Sequence, residues 1–308
     1  MRFLVIGAGG VGGYLGGKLA QNGHDLHFYS RGEHGRAMKE NGLRVSSVDG
    51  DFEVKDVQML STLNDLHGYD CIFLTTKADE VESLAMELKD ALQQDTLVVP
   101  LQNGLTSEET LWRFLPYEQV LPGMCKIYSK VEAPGHISHF GWNKPMIHLG
   151  EDSGELSERL LQLVQVLNDC GFDAHAEEDI WLHKWIKFMY ICSGGLTSVT
   201  QSSFGEVRSY RPSRKMLEAL FTEIYHVGRG KMINWEADVV ELAMKMVDNT
   251  MYEATSSMQR DIRDGKPSEL EFLNGTVLKY AYELDIHVPV NEMIYRCLSV
   301  REHYARKE

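Results

Sequence analysis

Along the first half of the chain, short apolar runs alternate with longer segments in which apolar residues recur every three or four positions. "RFLVIG" near the start and "DLHFYS" from Asp25 read as strands. "GVGGYLGGKLAQNG" between them reads as a helix stopped by Gly23. "YDCIFLTTK" and "TLVVPLQ" read as further strands, with the helical "DEVESLAMELKDAL" between them. Such alternation predicts a parallel sheet with crossover helices. The stretch from Leu43 to Leu60 reads as a hairpin or two short strands, and the alternating pattern from Gly123 to Gly150 as more strands.

The period changes after Glu151. "SGELSERLLQLVQVLNDCG" reads as an amphipathic helix ended by glycine. From Asp179 onward the helical period dominates, with helices expected from Arg214 to Ile233, Asp238 to Tyr252, Glu269 to Leu284 and Asn291 to Tyr304. An α/β half therefore precedes an all-helical half, with the boundary between Cys170 and Ile180. The expected domains cover residues 1–174 and 175–308.

Composition narrows the class. At 43% apolar and 25% charged the chain is ordinary globular material. A formal net charge of -14 argues against nucleic acid and against an anionic membrane surface as partners. It leaves room for a small anionic substrate, since the local field of a cleft can oppose the overall charge. No run approaches the ~20 apolar residues needed to span a bilayer. "MRFLVIGAGG" makes a poor signal peptide. Five scattered cysteines without a C-x-x-C pair fit reduced thiols, and the expected location is the cytoplasm.

The chemistry begins at "VIGAGGVGGYLGG", which carries Gly7-x-Gly9-x-x-Gly12 directly after the first strand and at the opening of a helix. Gly7 suits the tight turn, Gly9 lets backbone approach a pyrophosphate, and Gly12 lets helix and strand pack closely. With Gly10 and Val11 between them, these residues form a candidate dinucleotide loop, so the first domain is expected to be Rossmann-type. An NAD site usually has an acid at the end of the second strand. Here "FYSRGE" puts Ser30 and Arg31 there, and the arginine fork suits a 2′-phosphate, which favours NADPH.

Lys77 and Asn103 follow the strands "CIFLTT" and "TLVVP", at the sheet edge where such folds bind ligands. In "DIWLHKWIKFMYICSGGLTSVT", Trp181, Trp185, Phe188 and Cys192 share one helical stripe, and His183, Lys184 and Lys187 lie on the other side. Periodicity alone assigns Lys187 to a polar arc, facing either bulk water or a cleft.

Four segments together resemble the ketopantoate reductase (2-dehydropantoate 2-reductase) family. They are "GAGGVGGYLGGKLA", "TTKADEVE" with "PLQNGL", "WIKFMYICSGGLTS" and "SSMQRDIRDGKPSELEFLNG", the last being the most specific. The resemblance implies that Lys187 is the catalytic proton donor and Glu269 the glutamate that orients substrate and lysine. It implies that Ser257 and Asn103 contact substrate, that Asn103 and Lys77 line the cofactor cleft, and that Arg31 meets the 2′-phosphate. The implied activity is NADPH-dependent reduction of a 2-oxo acid, ketopantoate to pantoate in pantothenate biosynthesis.

One departure stands out. The family commonly carries two asparagines about one and two turns after the lysine, where this chain has Ile191 and Gly194–Gly195. Losing two amides favours a less polar 2-oxo acid or ketone as an alternative substrate. A non-catalytic NADPH-sensing module is a further alternative, which retention of Lys187 and Glu269 disfavours. His136, His139 and His148 invite a metal, but no carboxylate or cysteine completes a ligand set, so no metal is expected. Apolar faces on the later helices allow a homodimer.

Overall fold

The structure, a computed structural model, describes residues 1–141 and 144–307. It divides into two compact units, 1–102 with 107–180, and 103–106 with 181–308.

The first unit runs β1 (Arg2–Ile6), α1 (Gly10–Gln21), β2 (Asp25–Tyr29), α2 (Gly32–Asn41), β3 (Leu43–Ser47), β4 (Phe52–Val54), β5 (Gln58–Met59), β6 (Cys71–Leu74), α3 (Val81–Leu88), β7 (Leu97–Pro100), α4 (Ser107–Leu111), β8 (Gly123–Lys126), β9 (Ser129–Ala133), β10 (His136–His139), β11 (Met146–Leu149), α5 (Glu158–Asp169) and β12 (Asp173–Ala176). A parallel sheet of order β5-β2-β1-β6-β7 is its centre, with β1 paired on both sides. Every residue of β6 and β7 is buried, as a sheet covered on both faces requires. This is the Rossmann-like arrangement that the alternating pattern predicts.

The stretch from Leu43 to Leu60 resolves into an antiparallel β3–β4 hairpin followed by β5. The hairpin joins β10 and β9 in a four-stranded sheet, while β12, β11 and β8 form a third sheet. β12 reads "DAHA" and has no apolar run, so the hydrophobic pattern misses it. Its parallel pairing with β11 makes it a strand.

Helix α1 is squeezed between two of these sheets, and its glycines are the reason it fits. A Cβ on Gly16 would lie 2.4 Å from Phe28 of β2, and one on Gly13 would lie 2.9 Å from Ile137 of β10. A side chain at position 13 or 16 would have to push its neighbour aside. Leu15, Leu19 and Tyr14 fill the space between, fully buried with Phe3, Phe28 and Ile137.

The second unit is helical, with no strand among its described residues. It contains most of α6 (Ile180–Cys192), then α7 (Gly194–Thr200), α8 (Phe204–Ser209), α9 (Arg211–Gly230), α10 (Val239–Asp248), α11 (Ser257–Arg263), α12 (Thr276–Glu283) and α13 (Pro289–Ala305). The single helix expected from Glu269 to Leu284 is interrupted. Residues Glu271–Gly275 form a π turn in which Gly275 N–H reaches back to Leu270 O at 3.0 Å, and α12 follows. Helix α9 begins three residues before the expected Arg214 because Pro212 is accommodated in its first turn.

A buried carboxylate organises this unit. Glu223 of α9 is 8% exposed and accepts from Val290 N–H at 2.8 Å, Asn291 N–H at 3.0 Å and the Asn291 side chain at 2.8 Å. These backbone donors open α13, so the anion sits at the positive end of that helix dipole. No described helix is long and apolar enough to cross a membrane.

All five cysteines are free, four of them buried. Burial pushes the Cys71 and Cys192 thiols well above their usual range, which leaves them poor nucleophiles.

Replacing Glu223 with glutamine keeps the volume but removes the anion and one acceptor oxygen. The expected loss is about 1–3 kcal/mol of unfolding free energy, read as a lower urea midpoint.

Candidate active site

The first unit carries the glycine loop. Gly7 has φ +98°, a conformation that favours glycine, and its N–H bonds Tyr29 O at 2.9 Å. Thr75, just past β6, donates its hydroxyl to Gly7 O at 2.7 Å and fixes the turn from the neighbouring strand. A Cβ on Gly12 would lie only 2.0 Å from Gly7 O, so Gly12 is a packing glycine.

Gly9 differs. Its φ is -64°, and a Cβ built on it meets nothing within 4 Å. Neither backbone strain nor packing calls for glycine there. What remains is clearance for a ligand. Gly9 is also the N-cap of α1, without a side-chain cap and without an acid in the first turn, so the helix N-terminus presents unsatisfied N–H groups and positive potential. Beside the loop, Thr76 Oγ1 and Ser129 Oγ are buried without a partner. Thr76 backs Gly7, and Ser129 O would be 2.6 Å from a Cβ on Gly10. Val11 is half-buried against the core below. These residues fit a dinucleotide: the loop and α1 would hold its pyrophosphate.

Arg31 is the N-cap residue of α2, immediately past β2, and pairs with Glu80. Its side chain is 67% exposed. Lys77 is exposed at the start of the short turn that ends at Glu80. The Glu80 partner was invisible in the sequence, because it lies 49 residues from Arg31 and meets it only through the adjacency of the strand ends.

The second unit brings Asn103 and Glu269 together: Asn103 Nδ2 donates to Glu269 Oε2 at 3.0 Å. The loop 103–106 groups with the helical unit although it directly follows β7. Gly104, φ +100°, lets that loop lie flat on the π turn, where a Cβ would be 2.9 Å from Phe272 O. Leu105 then inserts into the helical core.

Lys187 is half-buried on α6, one turn beyond Lys184. The polar arc expected there is only partly polar. Lys184 is 3% exposed, with its ammonium 5.7 Å from the centre of the Trp181 ring. Its long apolar stem allows that burial. Ser257 is exposed as the first residue of α11. Its neighbour Ser256 caps that helix through Gln259 N–H and lies against Gly194. The three histidines separate: His136 bonds Ser46 and His139 bonds Ser47 on the four-stranded sheet, while His148 bonds Glu177 in the third sheet.

Residues 3–154 match the family model "Ketopantoate reductase PanE/ApbA", and residues 179–302 match its C-terminal companion. The chain belongs to the ketopantoate reductase family. It is 30% identical over 296 residues to the 2-dehydropantoate 2-reductase of Archaeoglobus fulgidus, covering 95% of both chains. It is 29% identical over 307 residues to an uncharacterized oxidoreductase of Bacillus subtilis, covering 98% of this chain and 99% of that one. A solved ternary structure of D-mandelate dehydrogenase with NADH and anilino(oxo)acetate shares the fold, with a TM-score of 0.89 at 22% identity and 99% coverage of both chains. As a family member, the chain is an oxidoreductase.

Gly9 and Gly12 should separate in mutagenesis. Gly9→Ala should leave stability within about 1 kcal/mol of the parent and weaken dinucleotide binding in a fluorescence titration. Gly12→Ala should lower the melting temperature first.

Proposed function

We propose that the protein reduces 2-dehydropantoate to pantoate with NADPH. The observation that carries this reading is Asn103 donating to Glu269 within the unit that bears Lys187, in a chain of this family.

When bound, the reduced dinucleotide supplies the hydride that adds to the carbonyl carbon. The chain's own groups do the rest. As the C=O electron pair moves onto oxygen, the Lys187 ammonium stabilises the developing alkoxide and gives it a proton, leaving a hydroxyl and a neutral amine. Water reprotonates the amine. Asn103 holds Glu269 from one side, so the carboxylate accepts a fixed bond and keeps its orientation toward lysine and substrate. Ser257 adds a hydroxyl to the substrate contacts. In the first unit, Gly7, Gly9, Gly10, Val11 and Gly12 would hold the pyrophosphate, with Lys77 as a further cofactor contact; Asn103, of the second unit, is proposed as another.

NADPH is favoured over NADH by Arg31. The guanidinium already pairs with a carboxylate, Glu80, and a dianionic 2′-phosphate is a stronger partner for the same fork.

One observation favours a second reading, a less polar 2-oxo acid. A Cβ on Gly195 would be 2.5 Å from Asn274 Oδ1, and one on Gly194 would be 2.8 Å from Ser256. Neither position can carry an amide without displacing its neighbour, and Ile191 offers only hydrocarbon.

Turnover is tested by following NADPH oxidation with saturating ketopantoate. A rate on the order of 1 per second or more supports pantoate as product. No turnover, with NADPH bound, moves the substrate to the less polar 2-oxo acids, tried as a panel. Lys187→Ala should abolish turnover and leave NADPH binding intact; normal turnover would remove the proposed proton donor. Arg31→Ala should narrow the NADPH-to-NADH preference. Glu80→Gln should tighten NADPH by no more than about fivefold, since an exposed pair is worth about 0–1 kcal/mol.

A further inference from the structure

Helix α6 ends at Cys192, one turn and a half beyond Lys187, and its last carbonyls lack partners inside the helix. The Cys192 carbonyl is met by a side chain from 82 residues away: Asn274 Nδ2 donates to it at 3.3 Å. Asn274 lies in the π turn that begins two residues after Glu269, and it is completely buried.

The same Nδ2 donates to Asn291 Oδ1 at 3.0 Å, and Asn291 Nδ2 in turn donates to Glu223 at 2.8 Å. The direction of this chain of bonds is fixed at both ends. Glu223 can only accept from it, and so can the Cys192 carbonyl, so the Asn274 amide has one workable orientation. Its Oδ1 is left buried without a partner and points toward Gly195, where a Cβ would lie 2.5 Å away. Ile294 of α13 closes the same gap at 2.6 Å. The π turn supplies the extra residue that brings position 274 inward.

We propose that Asn274 is a positioning residue, a strut that fixes the separation between the helix carrying Lys187 and the segment carrying Glu269. This rests on the roles given to those two residues above. Asn274 acts through the two ends it ties. Gly195 belongs to the same device, because any side chain there pushes the amide off the Cys192 carbonyl.

Two variants test it from opposite sides. Asn274→Leu removes both donated bonds at similar volume. Gly195→Ala keeps the amide and displaces it by a methyl group. Two readouts are needed. The first is kcat, KM and the pH profile of kcat, per folded enzyme, on the 2-oxo acid the parent reduces best. The second needs no substrate: the resonance of Lys187, carried as 13C-dimethyl-lysine and assigned by its loss in Lys187→Arg, followed through a pH titration.

Both variants should lower kcat on the order of 10- to 100-fold, as expected for misplacement by a fraction of an ångström. The basic limb of the pH profile should move, and dinucleotide Kd should stay within about twofold. The Lys187 resonance should change its shift or titration midpoint. An unchanged Lys187 resonance in a folded variant overturns the strut. If Asn274→Leu does not fold, Gly195→Ala decides by the same readouts. A parent that reduces no 2-oxo acid, with the Lys187 resonance still displaced in the variants, sinks the functional reading and leaves the strut standing.

Discussion

Close approach of α1 to two sheets at once is the constraint on which the first unit depends. A helix normally keeps its distance because side chains on its facing stripe fill the gap. Here hydrogen atoms face Phe28 on one side and Ile137 on the other, so the parallel sheet and the four-stranded sheet share a single helix as their common filling. The same closeness aims the uncapped first turn of α1 past Gly9, whose missing side chain serves nothing in the fold. Neighbouring glycines thus differ: those at 12, 13 and 16 are required by packing, and the one at 9 is not.

The helical unit is organised differently, by polar groups inside an apolar core. Glu223, Asn291 and Asn274 form a chain from α9 through the start of α13 to the end of α6. One acceptor in the chain, Asn274 Oδ1, is left buried without a partner, so the network specifies one arrangement over others at some cost in stability. The π turn is the meeting point. It supplies Asn274 to the chain, takes the loop at Gly104 against Phe272, and begins two residues after Glu269, which Asn103 holds.

Much of this was legible in the sequence, for identifiable reasons. The parallel strands are uninterrupted apolar runs because both faces are buried, and the glycine loop is written in consecutive residues. The family resemblance supplied Lys187, Glu269 and Asn103, of which the structure joins the last two. The features that escaped depend on distant partners. β12 is a strand only because β11 lies beside it. Lys184 is buried although a helical wheel assigns it to the polar side. The break before α12 follows from a π turn that no local pattern announces, and Glu80 reaches Arg31 only once their strands are side by side.

The glycines of α1 also govern when it can exist. Five of its twelve residues are glycine, each costing about 1 kcal/mol of helix propensity relative to alanine. The segment therefore has no standing as a helix in isolation. Its neighbours arrive late: β1 gains its second partner only with residues 71–74, and the sheet that covers the other face of α1 closes only with β10, at residues 136–139. Helix α1 is thus among the last elements of its unit to be secured, although it precedes most of them in the chain. Nucleation falls to long-range strand pairing, a slow kind of contact to form. Until those strands pair, the glycine loop has no finished helix behind it.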